Sequence, residues 1–296
     1  MTRYNYLVMS GGGFSALVYI GVIRYLQQES IDIPNIAGTS MGSVFALLYS
    51  LGVNMGEFEK RVKSIVSTPT FRHYQLDWIK WIQAACFEDG QRFVDVLDGL
   101  ISPSMTFMEH AKHTGKNLVV CATCITTMQP VYFSVDTTPQ VVVLDAIRAS
   151  CAIPGIIQPV KIGSNCYIDG AIVMNVPVLA FGSAPPDEVL IFTTFSSKTQ
   201  PLIQKPGALE MMMFVLSAVW RNASTHSLIK VRYKNYISFS DYPLDTIPFT
   251  NFCGDHCEID IQPSKIDVAI AVGYTDTYNF FKAEQQTSLQ QQEEPH

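Results

Sequence analysis

Gly38-Thr39-Ser40-Met41-Gly42 has the spacing G-x-S-x-G, within the run NIAGTSMGSVFALLYSLG. A serine between two glycines, after a strand and before a helix, is the arrangement of a nucleophile elbow. Gly38 and Gly42 leave room for a tight strand-to-helix crossing that holds the serine at its tip. The plainer reading is a glycine-bearing turn with an ordinary N-cap serine. The strand-like run before the motif and the apolar run Met41 to Leu51 after it favour the elbow. A serine hydroxyl is a weak nucleophile until a neighbouring group takes its proton, so the motif raises the question of a base.

Gly11-Gly12-Gly13 supplies a second piece. A glycine run between a strand and a helix exposes successive backbone N–H groups at the positive end of the helix, where an anion binds. Gly11-x-Gly13-x-x-Ala16 nearly matches a dinucleotide fingerprint. No acidic residue closes the following strand, however, and there is no phosphate-loop G-x-x-x-x-G-K-[ST]. An oxyanion hole explains both glycine motifs together, because each supplies what the other lacks.

The six histidines are 73, 110, 113, 226, 256 and 296. A conventional α/β-hydrolase places its histidine late, in a loop after a strand. Of these His256, in an irregular segment, is the one reasonable candidate. Asp169-Gly170 offers another base. It ends a short strand in CYIDGAIVMNVP, and a carboxylate there can accept the Ser40 proton directly. A simple Asp-Gly turn remains the commoner explanation of the pair alone.

The elements that would position these residues read as α/β. Tyr4 to Met9 is a short buried strand, and Phe14 to Gln28 a helix with an apolar face. A strand within Ile31 to Ala37 leads to the elbow and its helix. Two strand–glycine turn–helix units in succession predict a parallel sheet. Leu118 to Thr123 and Val131 to Ser134 pair across TTMQP. Leu144 to Ala152 is a helix, Cys166 to Ile168 a short strand and Val189 to Phe195 a buried strand. SSKTQPLIQKPG is a connector by composition. Glu210 to Ile229 and Lys265 to Phe281 are helices, and 286–296, QTSLQQQEEPH, is expected to be disordered.

The chain has 296 residues, of which 48% are hydrophobic and 16% charged, with a net charge of −6. It can bury a full core and is too apolar to be disordered. The acidic balance excludes nucleic acid as a partner, and no polybasic run addresses anionic membranes. No signal peptide or transmembrane segment is expected, which points to a cytoplasmic protein, at most peripheral to membranes. Seven cysteines form no framework spacing and read as free thiols. Cys253-x-x-x-Cys257 beside His256 is a weak hint of metal, and no metal or other cofactor is expected.

Taken in order, SGGGFSA, GTSMG and DGA resemble the patatin-like phospholipase family, with its G-G-G-x-[RK]-G loop, G-x-S-x-G elbow and D-G-[GA] aspartate. TFMEH (Thr106 to His110), RASCAIPGIIQPV (Arg148 to Val160) and VGYTDTYNFF are similar to further segments of that family. The resemblance is strongest from 5 to 180. It implies a three-layer α/β/α sandwich with a mainly parallel central sheet. It also implies one catalytic domain over 1–285, with a C-terminal helical part over about 205–285. Carried over residue by residue, Ser40 is the nucleophile and Asp169 its base, without a histidine. Gly11, Gly12, Gly13, Phe14 and Met41 supply oxyanion donors. Gly38 and Gly42 shape the elbow, and Gly170 completes the aspartate motif. The implied chemistry is hydrolysis of glycerolipid or phospholipid esters through an acyl-serine, with transient membrane-surface contact. Oligomeric state is left open.

The chain departs from the family pattern at Ser15, Ala16, the Thr123-Cys124-Ile125 stretch and Gln158. Three other readings remain: an esterase using Ser40 and His256, a silent lipid-binding protein, and an acyltransferase using the same acyl-enzyme. Trp78, Trp81 and Phe87 cluster, as do Met211 to Phe214. Such stripes belong either to the core or to a lipid interface.

Overall fold

The computed structural model describes residues 3–84, 86–194, 211–223 apart from 213 and 221, 233–239, 244, 249–253, 256–259 and 261–293. Among these, eight strands form one sheet. Along it the order is Val160–Ile162, Asn165–Asp169, Asn117–Cys124, Asn35–Thr39, Tyr6–Met9, Val189–Thr193 and Tyr236–Ser238. Gln129–Phe133 pairs with Asn117–Cys124 off this path. The five strands from Asn117–Cys124 to Tyr236–Ser238 run parallel, and the three remaining strands join through antiparallel pairings. This is the expected α/β architecture with a mainly parallel sheet.

The central strands are buried almost throughout, as apolar runs covered on both faces must be. Alternate side chains enter two cores. Leu7, Met9, Ile36, Leu118, Val120, Leu190 and Phe192 face the large one. Val8, Ala37, Val119, Val189 and Ile191 face the smaller one, which Val176, Val178 and Phe181 cover. The period-two pattern thus makes a layer on each side of the sheet.

Helices largely fall where the apolar periodicity predicts. Tyr19–Gln28, Met41–Ser50 and Val143–Ser150 pack on the sheet. The first begins later than expected, because Gly13–Val18 is a 3-10 helix that leads into it. Gly13 has a φ of 52°, and Ser15 N–H bonds Gly12 O, so the chain leaves the glycine loop in tighter turns. TFMEH forms a full capping box, with Thr106 and Glu109 each accepting the other's N–H.

The last helix runs Pro263–Glu293, so the stretch expected to be disordered from 286 is helical as far as Glu293. Glutamine and glutamate are good helix formers, and each residue added to an existing helix gains a hydrogen bond without a new nucleus. This helix packs on Tyr19–Gln28, where Cβ atoms at Gly21 and Gly273 would collide with Ile270 O and Val18 O. A second sheet joins His73–Gln75, His256–Ile259 and Phe249–Cys253. The connector SSKTQPLIQKPG lies outside the described residues. Among the described residues no helix is long and apolar enough to cross a membrane.

Candidate active site

Sheet register brings the site together. Strand Asn35–Thr39 pairs in parallel with Asn117–Cys124, and its last residue, Thr39, sits opposite Cys121. Strand Asn165–Asp169 pairs with the same strand from the opposite direction, and its last residue, Asp169, sits opposite Ala122. Cys121 and Ala122 are neighbours, so two strands end facing each other along one template. The next residue after Thr39 is Ser40, and its Oγ donates to Asp169 Oδ2 at 2.7 Å.

Ser40 adopts φ 51° and ψ −132° at the N-terminus of helix Met41–Ser50. A non-glycine residue there carries about 1–3 kcal/mol of strain, which the surroundings must hold. They do so with three hydrogen bonds. Ser40 N–H donates to Ser150 Oγ at 2.7 Å, and Ser150 Oγ donates in turn to Cys121 O at 2.6 Å. Ser43 Oγ donates to Ser40 O at 2.6 Å. The flanking glycines are required by close approach. A Cβ on Gly38 would collide with Gly42 O, and one on Gly42 with Ser10 O. Ser150 lies in the RASCA segment, but its spacing from Ser40 gave no sign of this bridge.

Asp169 is 1% exposed. Burial pushes its carboxyl up to about 7, against the hydrogen bonds from Ser40 and from Ala171 N–H that favour the charged form. The Ala171 N–H reaches Oδ1 at 2.8 Å, so each carboxyl oxygen has a donor. Asp169 N–H bonds Ala152 O at 2.9 Å, and Thr123 Oγ1 donates to Asp169 O at 3.0 Å. Gly170 must lack a Cβ because Cys121 O lies against it. A carboxyl of this kind, ionising near neutral pH and bonded to a strained serine, can take that serine's proton.

The glycine loop is clamped from two sides. Gly11 N–H donates to Asn175 O at 3.3 Å, and Thr194 Oγ1 donates to Gly11 O at 2.9 Å. This corrects the reading of Gly11 as an oxyanion donor, since its N–H is committed to the Asn175 carbonyl. Gly12, Gly13 and Phe14 follow at the start of the 3-10 helix, and Met41 opens the elbow helix. The first N–H groups of a helix have no carbonyl one turn earlier to bond. Sequence reasoning assigned nothing to Asn175 or Thr194; Asn175 lies six residues after Asp169, whereas Thr194 carries no local signal.

Gly13, Phe14, Ser40 and Met41 share the wall of one cavity of about 140 Å³, otherwise lined mainly by apolar side chains such as Phe45, Phe58, Ile156 and Ile259. Cys151 lies in the same wall. Burial, with the Asp169 charge second, pushes its thiol well above the usual range, so it stays a neutral thiol beside Ser40.

Ser15 is buried and donates to Leu244 O at 3.0 Å, and Ala16 has no exposure. A basic side chain would have no solvent at that position. The histidines take other places. His110 is buried with Nε2 2.8 Å from Ser50 Oγ, at the far end of the elbow helix. His256 starts a strand of the second sheet, rather than lying in an irregular segment, and its side chain is outside those described. Among the described residues no group of three histidines, cysteines or acids could hold a metal. The Cys253–Cys257 hint falls on side chains that are not described.

Comparison with known proteins bears on family and fold. The family model described as Patatin-like phospholipase matches residues 7–181. A probable lipid hydrolase of Invertebrate iridescent virus 6 is 31% identical over 182 residues, 59% of this chain and 62% of that protein. A triacylglycerol lipase of Schizosaccharomyces pombe is 32% identical over 166 residues, 53% of this chain and 25% of that protein. The chain thus spans less than two thirds of the length of these relatives. The crystal structure of VipD from Legionella pneumophila superposes with a TM-score of 0.60 and 18% identity, covering 95% of this chain and 67% of that one. At that identity the likeness concerns the fold.

Proposed function

The chain belongs to the patatin-like phospholipase family, and from that premise we propose that it is a serine lipid acyl hydrolase with a Ser40–Asp169 dyad. One observation carries the reading: Ser40 Oγ donates at 2.7 Å to a buried carboxylate while the same serine lines an apolar cavity. In this mechanism Ser40 Oγ attacks the ester carbonyl as its proton passes to Asp169 Oδ2. The tetrahedral oxyanion is held by the N–H groups of Gly12, Gly13, Phe14 and Met41. Asp169 returns the proton to the departing alkoxide, leaving an acyl-serine. A water then gives a proton to Asp169 as it attacks the acyl carbonyl, and Asp169 passes that proton to Ser40 Oγ as the acyl–serine bond breaks and the fatty acid leaves.

The substrate class is a fatty-acyl ester of a glycerolipid or phospholipid, the acyl chain occupying the cavity. Residues 1–285 act as one catalytic unit in this reading, supported by the packing of Pro263–Glu293 on Tyr19–Gln28. The test is hydrolysis of acyl esters of graded chain length by wild type, Ser40→Ala and Asp169→Asn. General-base removal typically costs about 10²–10⁴ in rate, and both variants are expected to fall at least that far. Wild-type turnover in Ser40→Ala would overturn the assignment.

A further inference from the structure

Two helices pack on a turn that forms part of the cavity wall. Ile153, Ile156 and Ile157, in the turn after Cys151, form part of its wall. Helix Trp78–Ala84 is tied to this turn: Trp81 Nε1–H donates to Gly155 O at 2.9 Å, and the N–H groups of Phe87 and Glu88 donate to Ile156 O at 2.9 Å. Residues 211–223, helical where described, pack on the same turn, with Met212 against Gly155 and Leu216 in the isoleucine cluster.

Each helix has a second apolar stripe that faces outward. On the first, Ile79 is 71% and Ile82 78% exposed, with Trp78 at 39%. On the second, Met211 is 50% and Val215 55% exposed. The spacings i, i+3 and i+4 put each set on one face. A helix apolar on both faces is normally buried on both. Of the chain's three tryptophans, 78, 81 and 220, Trp78 lies on the outward stripe, while Trp81 and Trp220 pack toward the isoleucine turn. Tryptophan concentrates where an apolar phase meets water.

We propose that this face, Trp78, Ile79, Ile82, Met211 and Val215, docks onto the surface of a zwitterionic lipid bilayer and feeds acyl chains past the Ile153–Ile157 turn to Ser40. The proposal rests on the lipid-ester reading of the Ser40 site. A lipid acyl chain must travel from bilayer to cavity without crossing water, and this patch adjoins the apolar wall that ends at the serine. The net charge of −6 opposes attraction to anionic headgroups, so apolar insertion carries the binding and salt leaves it unchanged.

The experiment uses the full chain with phosphatidylcholine vesicles. Wild type is expected to co-sediment with them at both low and high salt. Its tryptophan emission shifts to the blue and is quenched by brominated phospholipid. The double variant Ile79→Asp/Ile82→Asp is expected to partition about tenfold or more weakly, since each isoleucine loses its transfer into hydrocarbon. Its melting temperature and its hydrolysis of a water-soluble short-chain ester stay near wild type. Met211→Asp/Val215→Asp acts in the same direction by an independent substitution.

Vesicle binding by both double variants at wild-type strength overturns the proposal. So does a wild-type dimer in sedimentation velocity that Ile79→Asp splits, because the patch then serves a second copy of the chain. Ser40→Ala separates the two readings. It is expected to bind vesicles like wild type and hydrolyse nothing. A wild type that binds vesicles but cleaves no ester leaves the docking face standing and sinks the hydrolase reading. One that cleaves soluble ester without binding vesicles does the reverse.

Discussion

In the proposed dyad Asp169 is the base, and its burial also weakens the fold. Its carboxyl is held at about 7 instead of the ordinary 3.8, chiefly by burial. The base must be ionised to work, so kcat/KM is expected to rise with pH and level off above about 7. A profile flat from pH 5 to 9 would exclude Asp169 as the base. The stability effect has the opposite sign. Between pH 3.8 and about 7 the native state holds a proton that the unfolded chain has lost, so stability falls as pH rises through that window. Holding the carboxyl that high costs roughly 4 kcal/mol above pH 7. Asp169→Asn, which keeps the shape and removes the ionisation, is therefore expected to melt higher than wild type at pH 8 while losing activity. A lower melting temperature at that pH would show that the charge is stabilised by groups other than Ser40 and Ala171.

The elbow works because two elements cross with no side chain between them. Strand Asn35–Thr39 and helix Met41–Ser50 meet at Gly38 and Gly42, and Gly42 also lies against the Ser10 carbonyl at the end of the first strand. A methyl group at Gly42 must push the helix off the sheet or the first strand aside. Overpacking of that kind costs about 1–3 kcal/mol, and here the nearest neighbours, Met9 O, Ser10 O and Ser10 C, are backbone, which cannot swing away. Gly42→Ala is expected to lower Tm by several degrees. It should also reduce turnover more than Ser43→Ala, which removes only a hydrogen bond to Ser40 O. Equal turnover in the two would mean that the crossing tolerates displacement and that the hydrogen bonds hold the elbow.

At the scale of the whole molecule, two buried ionisable groups pull stability in opposite directions. His110, packed beneath the far end of the elbow helix, is held down to about 4, first by burial and then by the charges of His113 and Lys116. Between pH 6.5 and about 4 the unfolded chain takes up a proton that the native state refuses, so this group destabilises as pH falls. The Asp169 effect gains stability across nearly the same range. Wild type is expected to change little in melting temperature from pH 7 to 4 on account of these two groups. Asp169→Asn keeps only the His110 effect and should lose stability more steeply on acidification. Parallel melting curves for the two proteins across pH 7 to 4 would contradict the assignment. The apolar docking face belongs to this scale too, since it is assembled from segments more than a hundred residues apart.

The local pieces were legible in the amino-acid order alone. The apolar runs of the central strands, the glycines on either side of Ser40 and the turn at Asp169-Gly170 each depend on residues within a few positions. Their physics is short-ranged, and they read directly. The resemblance in motif order pointed to the family and to Asp169. How those pieces meet depends on the folded chain. Ser40 and Asp169 are 129 residues apart, and they meet because Thr39 and Asp169 stand opposite consecutive residues of strand Asn117–Cys124. Register of that kind is set by the packing of whole strands, and no local pattern encodes it. The same holds for Gly11. Its glycine spacing is right for an oxyanion loop, but the carbonyl that claims its N–H comes from Asn175, 164 positions away. Burial too belongs to the tertiary structure: desolvation, which raises the Asp169 carboxyl and lowers His110, exists only once the layers have closed over them.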